Sequence, residues 1–281
     1  MKVVLIGSTG LLGSAIKDEL NNRNVNSLFL THEIFDVMNS GDYEQILDFK
    51  PDMVINTAAY LGVEPCEKNP LDAFRLNCKA VEDLANFCNE HDFGLAYIST
   101  DGVFDGQDGD YTEDSFPNPI NMYGLTKFNG ELMTRNLCRK YYIFRIPILF
   151  GRRKNQGSIF IEKMYDLYQN GKKELKIADD VINRPSYNKD VAKKIVDLIT
   201  CKSEFGIYHI YNGGGKASLY DFAVEFFKQQ GIKDITIGRV KAEDFAKNEV
   251  GKKPLNTTIK SNKIEPLRDW KNAMSEFCTK N

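Results

Sequence analysis

Val3-Val4-Leu5-Ile6-Gly7-Ser8-Thr9-Gly10-Leu11-Leu12-Gly13 is the stretch on which the reading of this chain turns. Four apolar residues in a row read as a strand buried on both faces, and apolar residues at 11, 12, 15, 16 and 20 then follow a one-faced helical spacing. Glycines at 7, 10 and 13 stand at the junction, and each serves a different need there: a tight turn, room for a pyrophosphate against bare backbone, and close packing of helix on strand. The free N–H groups of the helix start favour an anion. Three glycines alone also fit a strand-to-helix turn that holds no ligand. Their place directly after the first strand favours a dinucleotide, held by Gly7, Thr9, Gly10, Leu11, Leu12 and Gly13.

Outward from this turn, Ser27–Leu30, Met53–Asn56, Leu95–Ser99 and Tyr141–Ile146 read as further buried strands, and 73–87 as another one-faced helix. Strand and helix in alternation predict an α/β fold, a Rossmann-type doubly wound parallel sheet. After Gly151 the rhythm loosens, with helices near 159–168, 189–200 and 219–229 and a strand near 207–210. The expected organisation is a dinucleotide-binding domain over residues 1–150, rejoined by about 188–212, and a smaller substrate-binding lobe from 151–187 and 213–281.

The chain has 281 residues, 42% of them hydrophobic, and a formal net charge of -2, so no basic excess points to nucleic acid or an anionic membrane. Its N-terminus lacks the order of a signal peptide and no apolar run approaches the ~20 residues of a membrane span, which makes the cytoplasm the expected location. Six scattered cysteines without a C-x-x-C pair read as reduced thiols, and three dispersed histidines give no metal centre to assemble.

The second strand ends at Leu30-Thr31-His32-Glu33, with neither an acid at its tip for both ribose hydroxyls nor an arginine for a 2′-phosphate, so NADPH or NADH fits equally. Asp36, with Val37 after it, is placed either to reach the adenine amino group or to cap the helix that follows; both readings stand.

Residues 97–131 carry the chemistry. Thr100 and Asp101 fall at the carboxyl end of the fourth strand, the edge where open α/β sheets hold ligands. Tyr123 and Lys127 follow at a Y-x-x-x-K spacing, one turn apart on the face of a helix starting near Asn121. A phenol of pKa ~10 needs a neighbouring cation to become an acid-base group near neutrality, and Lys127 supplies one. Tyr123 can then protonate a carbonyl oxygen as hydride reaches the carbon, with the Thr100 hydroxyl holding the same oxygen. A Y-x-x-x-K pair by itself is usually a surface pair. Together with the glycine turn and Ser99-Thr100-Asp101 it becomes a catalytic reading.

These residues make the chain resemble the extended short-chain dehydrogenases and, within them, the dTDP-4-dehydrorhamnose reductases. The resemblance runs through 54–60; 67–70 and Asn77; 99–101 with 103–106; 111–114; 117–119 with Tyr123, Gly124, Lys127, Gly130 and Glu131; Arg145, Gly151, 184–186 and Asp190; 206–209; and Pro254 with Asn256 and Thr257. It implies Thr100, Tyr123 and Lys127 as the catalytic set, with Ala58, Ala59 and Tyr60 along the cofactor beside Tyr123 and Lys127. Asn77 is implied in the same site, where a plain structural role fits as well. For the substrate it implies Thr100, Asp101, Gly102, Val103, Phe104 and Tyr123. Arg184 would face a sugar nucleotide's diphosphate or form a structural ion pair. The implied activity is reduction of a nucleotide-linked 4-keto-6-deoxy sugar by NADPH or NADH, as in dTDP-rhamnose and polysaccharide biosynthesis, with a homodimer as the candidate assembly.

The chain departs from the pattern at Gly102 and near Ile148, where the family usually has aromatic residues, so the nucleotide and the keto sugar stay open at this point. A dehydratase of the same fold needs an acid where this chain has Gly102. An epimerase, and a dinucleotide-binding regulatory subunit of the methionine adenosyltransferase type, remain the rival readings.

Overall fold

The computed structural model describes residues 1–153, 156–157, 159–246 and 250–279. Six parallel strands form the central sheet in the order Gly206–His209, Tyr141–Ile146, Gly94–Thr100, Met53–Asn56, Lys2–Ile6, Asn26–Leu30. Side chains alternate across a strand, so the apolar run of the first strand serves both faces of the sheet. Val3 and Leu5 pack with Ile16 and Leu20 of the Leu11–Asn22 helix and with Ile195 and Ile199 of the Asn188–Thr200 helix. Val4 and Ile6 pack on the other side with Leu84 and Cys88 of the Ala80–Glu90 helix.

The chain leaves the first strand toward Asn26–Leu30 on one side, and the next strand, Met53–Asn56, lies on the other. The loops after Ile6 and Asn56 therefore diverge and open a crevice at the carboxyl edge, the topological switch point of an open α/β sheet.

One expected helix differs in detail. The segment 73–87 lies in a longer helical stretch, Pro70–Phe74 and Ala80–Glu90, interrupted by a π-helical turn over Arg75–Lys79. The wide turn leaves the Asn77 carbonyl to accept the Tyr97 hydroxyl at 3.2 Å, and Gly130 lets these two groups reach the neighbouring helix.

A separate aromatic core lies toward the C-terminal part, in which Phe150, Phe222, Phe226, Trp270 and Met274 pack together. Its helix Leu219–Gln229 starts in a capping box: the Ser218 hydroxyl oxygen accepts from the Asp221 N–H at 3.0 Å while the Asp221 carboxylate accepts from the Ser218 N–H at 3.2 Å. Not all of the C-terminal part stays with this core. The segment around 254–262 returns along the loop after the fourth strand, with Ile259 bridging to Tyr111 and the Asn256 N–H donating to Gly106. Among the described residues, no helix is long and apolar enough to cross a membrane.

Candidate active site

At the glycine turn, the Gly7 and Ser8 N–H groups both donate to the Leu30 carbonyl, and Gly7 has φ +79°. A Cβ there would lie 2.6 Å from the Thr57 hydroxyl oxygen, and one at Gly13 would collide with the Gly7 carbonyl oxygen. Those two glycines are demanded by packing. Gly10 is different: its backbone is extended, and a Cβ would meet nothing closer than the Gly7 carbonyl at 3.4 Å. The helix start at Leu11, Leu12 and Gly13 has no side-chain cap, which leaves its N–H groups for a phosphate. Thr9 is exposed beside it.

Asp36 is exposed and its carboxylate accepts the Met38 N–H at 2.9 Å, closing a local turn. The helical turn that follows takes its cap from Asn39, so the capping reading of Asp36 falls away. The Val37 side chain lies in the core, and its carbonyl accepts the Tyr43 hydroxyl.

Ala58, Ala59 and Tyr60 form the half-buried loop after the third strand. Asn77, fully buried, grips that loop from behind: its amide oxygen accepts the Tyr60 N–H at 2.8 Å, and its amide nitrogen donates to the Tyr60 carbonyl and to the Thr126 hydroxyl. The loop is thereby tied to the helix that carries Tyr123 and Lys127.

That helix, Met122–Leu137, is capped by Asn121, whose side-chain oxygen accepts the Gly124 N–H at 2.8 Å. Gly124 packs so closely on the turn after the fourth strand that a Cβ would collide with the Gly102 carbonyl oxygen. This contact brings Tyr123 beside Thr100. The Thr100 hydroxyl also accepts the Gly102 N–H at 3.0 Å and donates to an Asp101 carboxylate oxygen at 3.1 Å. Its proton is thus turned to Asp101 and one of its lone pairs to Gly102.

Lys127 is 2% exposed; its ammonium donates to the Ile98 carbonyl at 2.6 Å and lies 4.1 Å from the centre of the Tyr97 ring. Burial pulls its pKa down to about 7 against the opposing charge of Glu131. The Tyr123 phenol moves upward, not downward: burial dominates, the Thr100 hydrogen bond opposes it, and the Asp101 charge adds to it. The phenol therefore keeps its proton at neutral pH, as a general acid must.

Around this pair the expected substrate residues divide. Asp101 turns its carboxylate to Thr100 and to the C-terminal segment, accepting the Thr257 hydroxyl at 2.6 Å. Burial lifts its pKa to about 6, with the Thr257 and Thr100 bonds opposing. The expectation that Val103 and Phe104 line the substrate does not hold for their side chains. Both are fully buried with Tyr111, Tyr211 and Ile259, and Phe104 stacks on Tyr111 with ring centres 4.3 Å apart. Gly102 leaves space beside the reacting groups: a Cβ there would be 3.4 Å from the Thr100 hydroxyl oxygen and 3.8 Å from the Tyr123 ring. Arg184 pairs with Asp110 at 3.0 Å, and Lys216 and Lys260 join the same carboxylate. Burial works against that charge, but the three cations hold Asp110 down at about 2. The buried Arg184 Nε has no partner among the described residues.

Beneath the site lies a charged network to which the sequence assigned no role. Glu131, one helical turn beyond Lys127, takes the Arg145 guanidinium in two bonds of 2.9 and 2.7 Å and accepts the Ser99 hydroxyl. Arg145 reaches on to His209, whose ring is held by the Lys260 carbonyl. A lone arginine in the otherwise apolar strand Tyr141–Ile146 was the available signal, since a buried charge requires a partner.

A cavity of about 1010 Å³ opens in the lobe, lined by Phe160, Met164, Leu175, Ile177, Lys252 and Leu255 among others, but not by Thr100, Tyr123 or Lys127. Its Lys252 wall abuts the start of the Met122–Leu137 helix, where the Asn121 side chain donates to the Lys252 carbonyl at 2.9 Å. Among the described residues no cluster of three or more His, Cys, Asp or Glu is arranged to hold a metal ion.

A family model described as RmlD substrate binding domain matches residues 1–281. The dTDP-4-dehydrorhamnose reductase of Aggregatibacter actinomycetemcomitans is 28% identical, over 98% of this chain and 98% of that protein. The methionine adenosyltransferase 2 subunit beta of Xenopus tropicalis is 30% identical over 78% of this chain and 69% of that protein. Among solved structures, dTDP-4-dehydrorhamnose reductase from Bacillus anthracis in complex with NADP superposes with a TM-score of 0.91 at 28% identity, covering 100% of this chain and 99% of that one.

Proposed function

The chain belongs to the RmlD substrate-binding family of extended short-chain dehydrogenases, and on that premise we propose that it is an NAD(P)H-dependent reductase of a nucleotide-linked 4-keto-6-deoxy sugar, converting dTDP-4-dehydrorhamnose to dTDP-rhamnose. The observation that carries the reading is the placing of Tyr123 and Thr100 together beside Gly102 at the carboxyl edge of the sheet, with a buried Lys127 one turn along the helix.

The residues fit the cofactor: a bare glycine turn, an uncapped helix start and a lysine poised near neutrality. Gly7 to Gly13 would hold the pyrophosphate, Asp36 and Val37 the adenine end, and the Ala58–Tyr60 loop the middle, with Asn77 fixing that loop. Lys127 would hold the nicotinamide ribose. When bound, the reduced nicotinamide supplies the hydride for the keto carbon. Tyr123 gives its proton to the oxygen, and the loss of that proton from a buried phenol is eased by the Lys127 charge.

Residues 1–150 with 188–212 serve the dinucleotide in this reading, and 151–187 with 213–281 the sugar nucleotide, whose base has room in the lobe cavity. Arg184, Lys216 and Lys260, set against the single charge of Asp110, give the surplus positive charge that suits a diphosphate. A homodimer in the cytoplasm completes the proposal. The regulatory-subunit and epimerase readings are weaker, because the reductase relative spans both chains end to end and the reacting groups are all present.

Mixing the protein with NADH or NADPH and a panel of nucleotide 4-keto-6-deoxy sugars tests the reading through cofactor absorbance. Oxidation with the dTDP sugar is expected with either cofactor. Silence across the panel, with intact cofactor binding, would overturn it in favour of a partner protein.

A further inference from the structure

Three cations meet on one carboxylate. Arg184 Nη2 lies 3.0 Å from one Asp110 carboxylate oxygen, and the Lys216 and Lys260 ammonium groups lie 2.9 and 3.1 Å from the other. Among the described residues, no ion pair joins any of the three to a second carboxylate. The buried Arg184 Nε, without a hydrogen-bond partner among them, is a donor left over for an acceptor that the protein does not supply. The carboxylate is held in place through its backbone. Gly109 and Asp110 have φ +71° and +52°, and a Cβ at Gly109 would run into the Asn256 side chain. The Asp110 N–H donates to the Thr258 hydroxyl at 2.9 Å, and the neighbouring Thr257 hydroxyl donates to Asp101 in the reacting centre.

We infer that Asp110 is a specificity-determining residue, setting the charge of this cluster so that it takes a diphosphate ester in preference to a free nucleoside diphosphate. The inference rests on the reductase reading above, which brings the sugar nucleotide's diphosphate to these cations. Three cations against one carboxylate leave a surplus of two positive charges. In a nucleotide-linked sugar both phosphates are esterified, each keeps one negative charge, and the two balance the surplus. A free nucleoside diphosphate ends in a phosphate whose second proton is lost near pH ~6, so above neutrality it brings a third charge. That charge finds no cation left and is repelled by the Asp110 carboxylate. Substrate and reduced product are both esters and suit the site alike. The free nucleotide shares their base, ribose and both phosphates, and charge is what sets it apart.

Asp110 suits this part because it stays charged and stays in place. Burial opposes its charge, yet Lys216, Lys260 and Arg184 hold its carboxyl at about 2. Other acids of the same stretch are turned elsewhere: Asp105 accepts the Tyr111 hydroxyl at 2.6 Å and the Asn118 amide at 3.0 Å, and Asp101 accepts the Thr257 hydroxyl at 2.6 Å. A single carboxylate leaves three cations short of neutral. With none, the cluster would carry three unbalanced charges and match the free nucleotide instead.

The test is calorimetric titration of the full chain, at about pH 8, with dTDP and with its β-methyl ester, which differ by one methyl group and one negative charge. Asp110→Asn removes the charge and keeps the shape, and asparagine accepts the left-handed backbone as aspartate does. It should shift the ratio of the two dissociation constants ~10-fold or more toward dTDP. An unmoved ratio in a variant that melts like the wild type overturns the proposal, and so does a wild type that binds dTDP ~10-fold more tightly than the ester. Lys216→Gln, at an exposed position, should weaken both ligands and dTDP the more. Unchanged affinities there would remove the diphosphate from this cluster and overturn the proposal with it. If neither thymidine nucleotide binds the wild type, the sugar-nucleotide reading fails, and inorganic pyrophosphate against its symmetrical dimethyl ester then decides Asp110 by itself. A ~10-fold shift toward pyrophosphate in Asp110→Asn sustains its role, and no shift or no binding overturns it.

Discussion

The Lys127 ammonium hydrogen-bonds the Ile98 carbonyl oxygen at 2.6 Å, a neutral acceptor in a buried setting. The carboxylate one turn away, Glu131, is already bound by Arg145. The lysine is thus short of negative charge, which is why burial brings it down to about 7. Cofactor phosphates and ribose hydroxyls favour the ammonium form, so binding should take up a proton above pH 7, and affinity should fall as pH rises from about 7 toward the ordinary lysine value. Calorimetry at about pH 8 in buffers of different ionisation enthalpy reads this uptake. It should vanish in Lys127→Met, and a wild type that binds without uptake would disprove the charge assignment.

Tyr123→Phe removes the proton and keeps the ring. Cofactor affinity should survive while reductase turnover falls by the ~100- to 10,000-fold typical of a lost general acid. Steady-state assays with the dTDP keto sugar, beside a cofactor titration, check both halves. Near-full activity in the variant would remove Tyr123 from the mechanism.

The glycines should separate by role. Gly13→Ala drives a methyl into the Gly7 carbonyl and should destabilise the fold, lowering the melting temperature even without cofactor. Gly10→Ala adds a Cβ that meets nothing closer than the Gly7 carbonyl oxygen at 3.4 Å, and should melt like the wild type while losing cofactor affinity. Equal melting losses in the two variants would show that the turn is structural alone.

Arg145→Met strands the Glu131 carboxylate in the interior, where an unpaired charge costs about 3–5 kcal/mol. Urea unfolding should show a loss of this size, and adding Glu131→Gln should restore part of it, because the stranded charge is then gone. A single variant as stable as the wild type would mean that water or another cation reaches Glu131.

The sheet, the glycine turn and the Tyr123–Lys127 pair are legible in the sequence because each is written in neighbouring residues: a run of apolar positions, a spacing of three, a spacing of four. What surrounds them is not. Asp101 finds Thr257 across 156 positions and Arg184 finds Asp110 across 74, and no local pattern reports such distances. Val103 and Phe104 follow Thr100 and Asp101 directly, yet their side chains are decided by Tyr111 and Ile259, which arrive from elsewhere. The upward shift of the Tyr123 phenol, despite Lys127, has a related reason, since one-turn spacing fixes a shared helix face but not the depth at which each group is buried.

The return of the 257–262 segment to the fourth strand sets an order on biosynthesis. Thr257 meets Asp101, Lys260 meets Asp110, and Ser261 and Asn262 meet Glu113. A chain still on the ribosome can pair all six strands once residue 209 has emerged, and can shape the glycine turn. The partners of Asp101, Asp110 and Glu113 wait for residues from the last tenth of the message. Products ending before 257 would therefore leave three carboxylates, of Asp101, Asp110 and Glu113, without the partners that cover them, a mark by which quality control could tell an unfinished chain from a finished one.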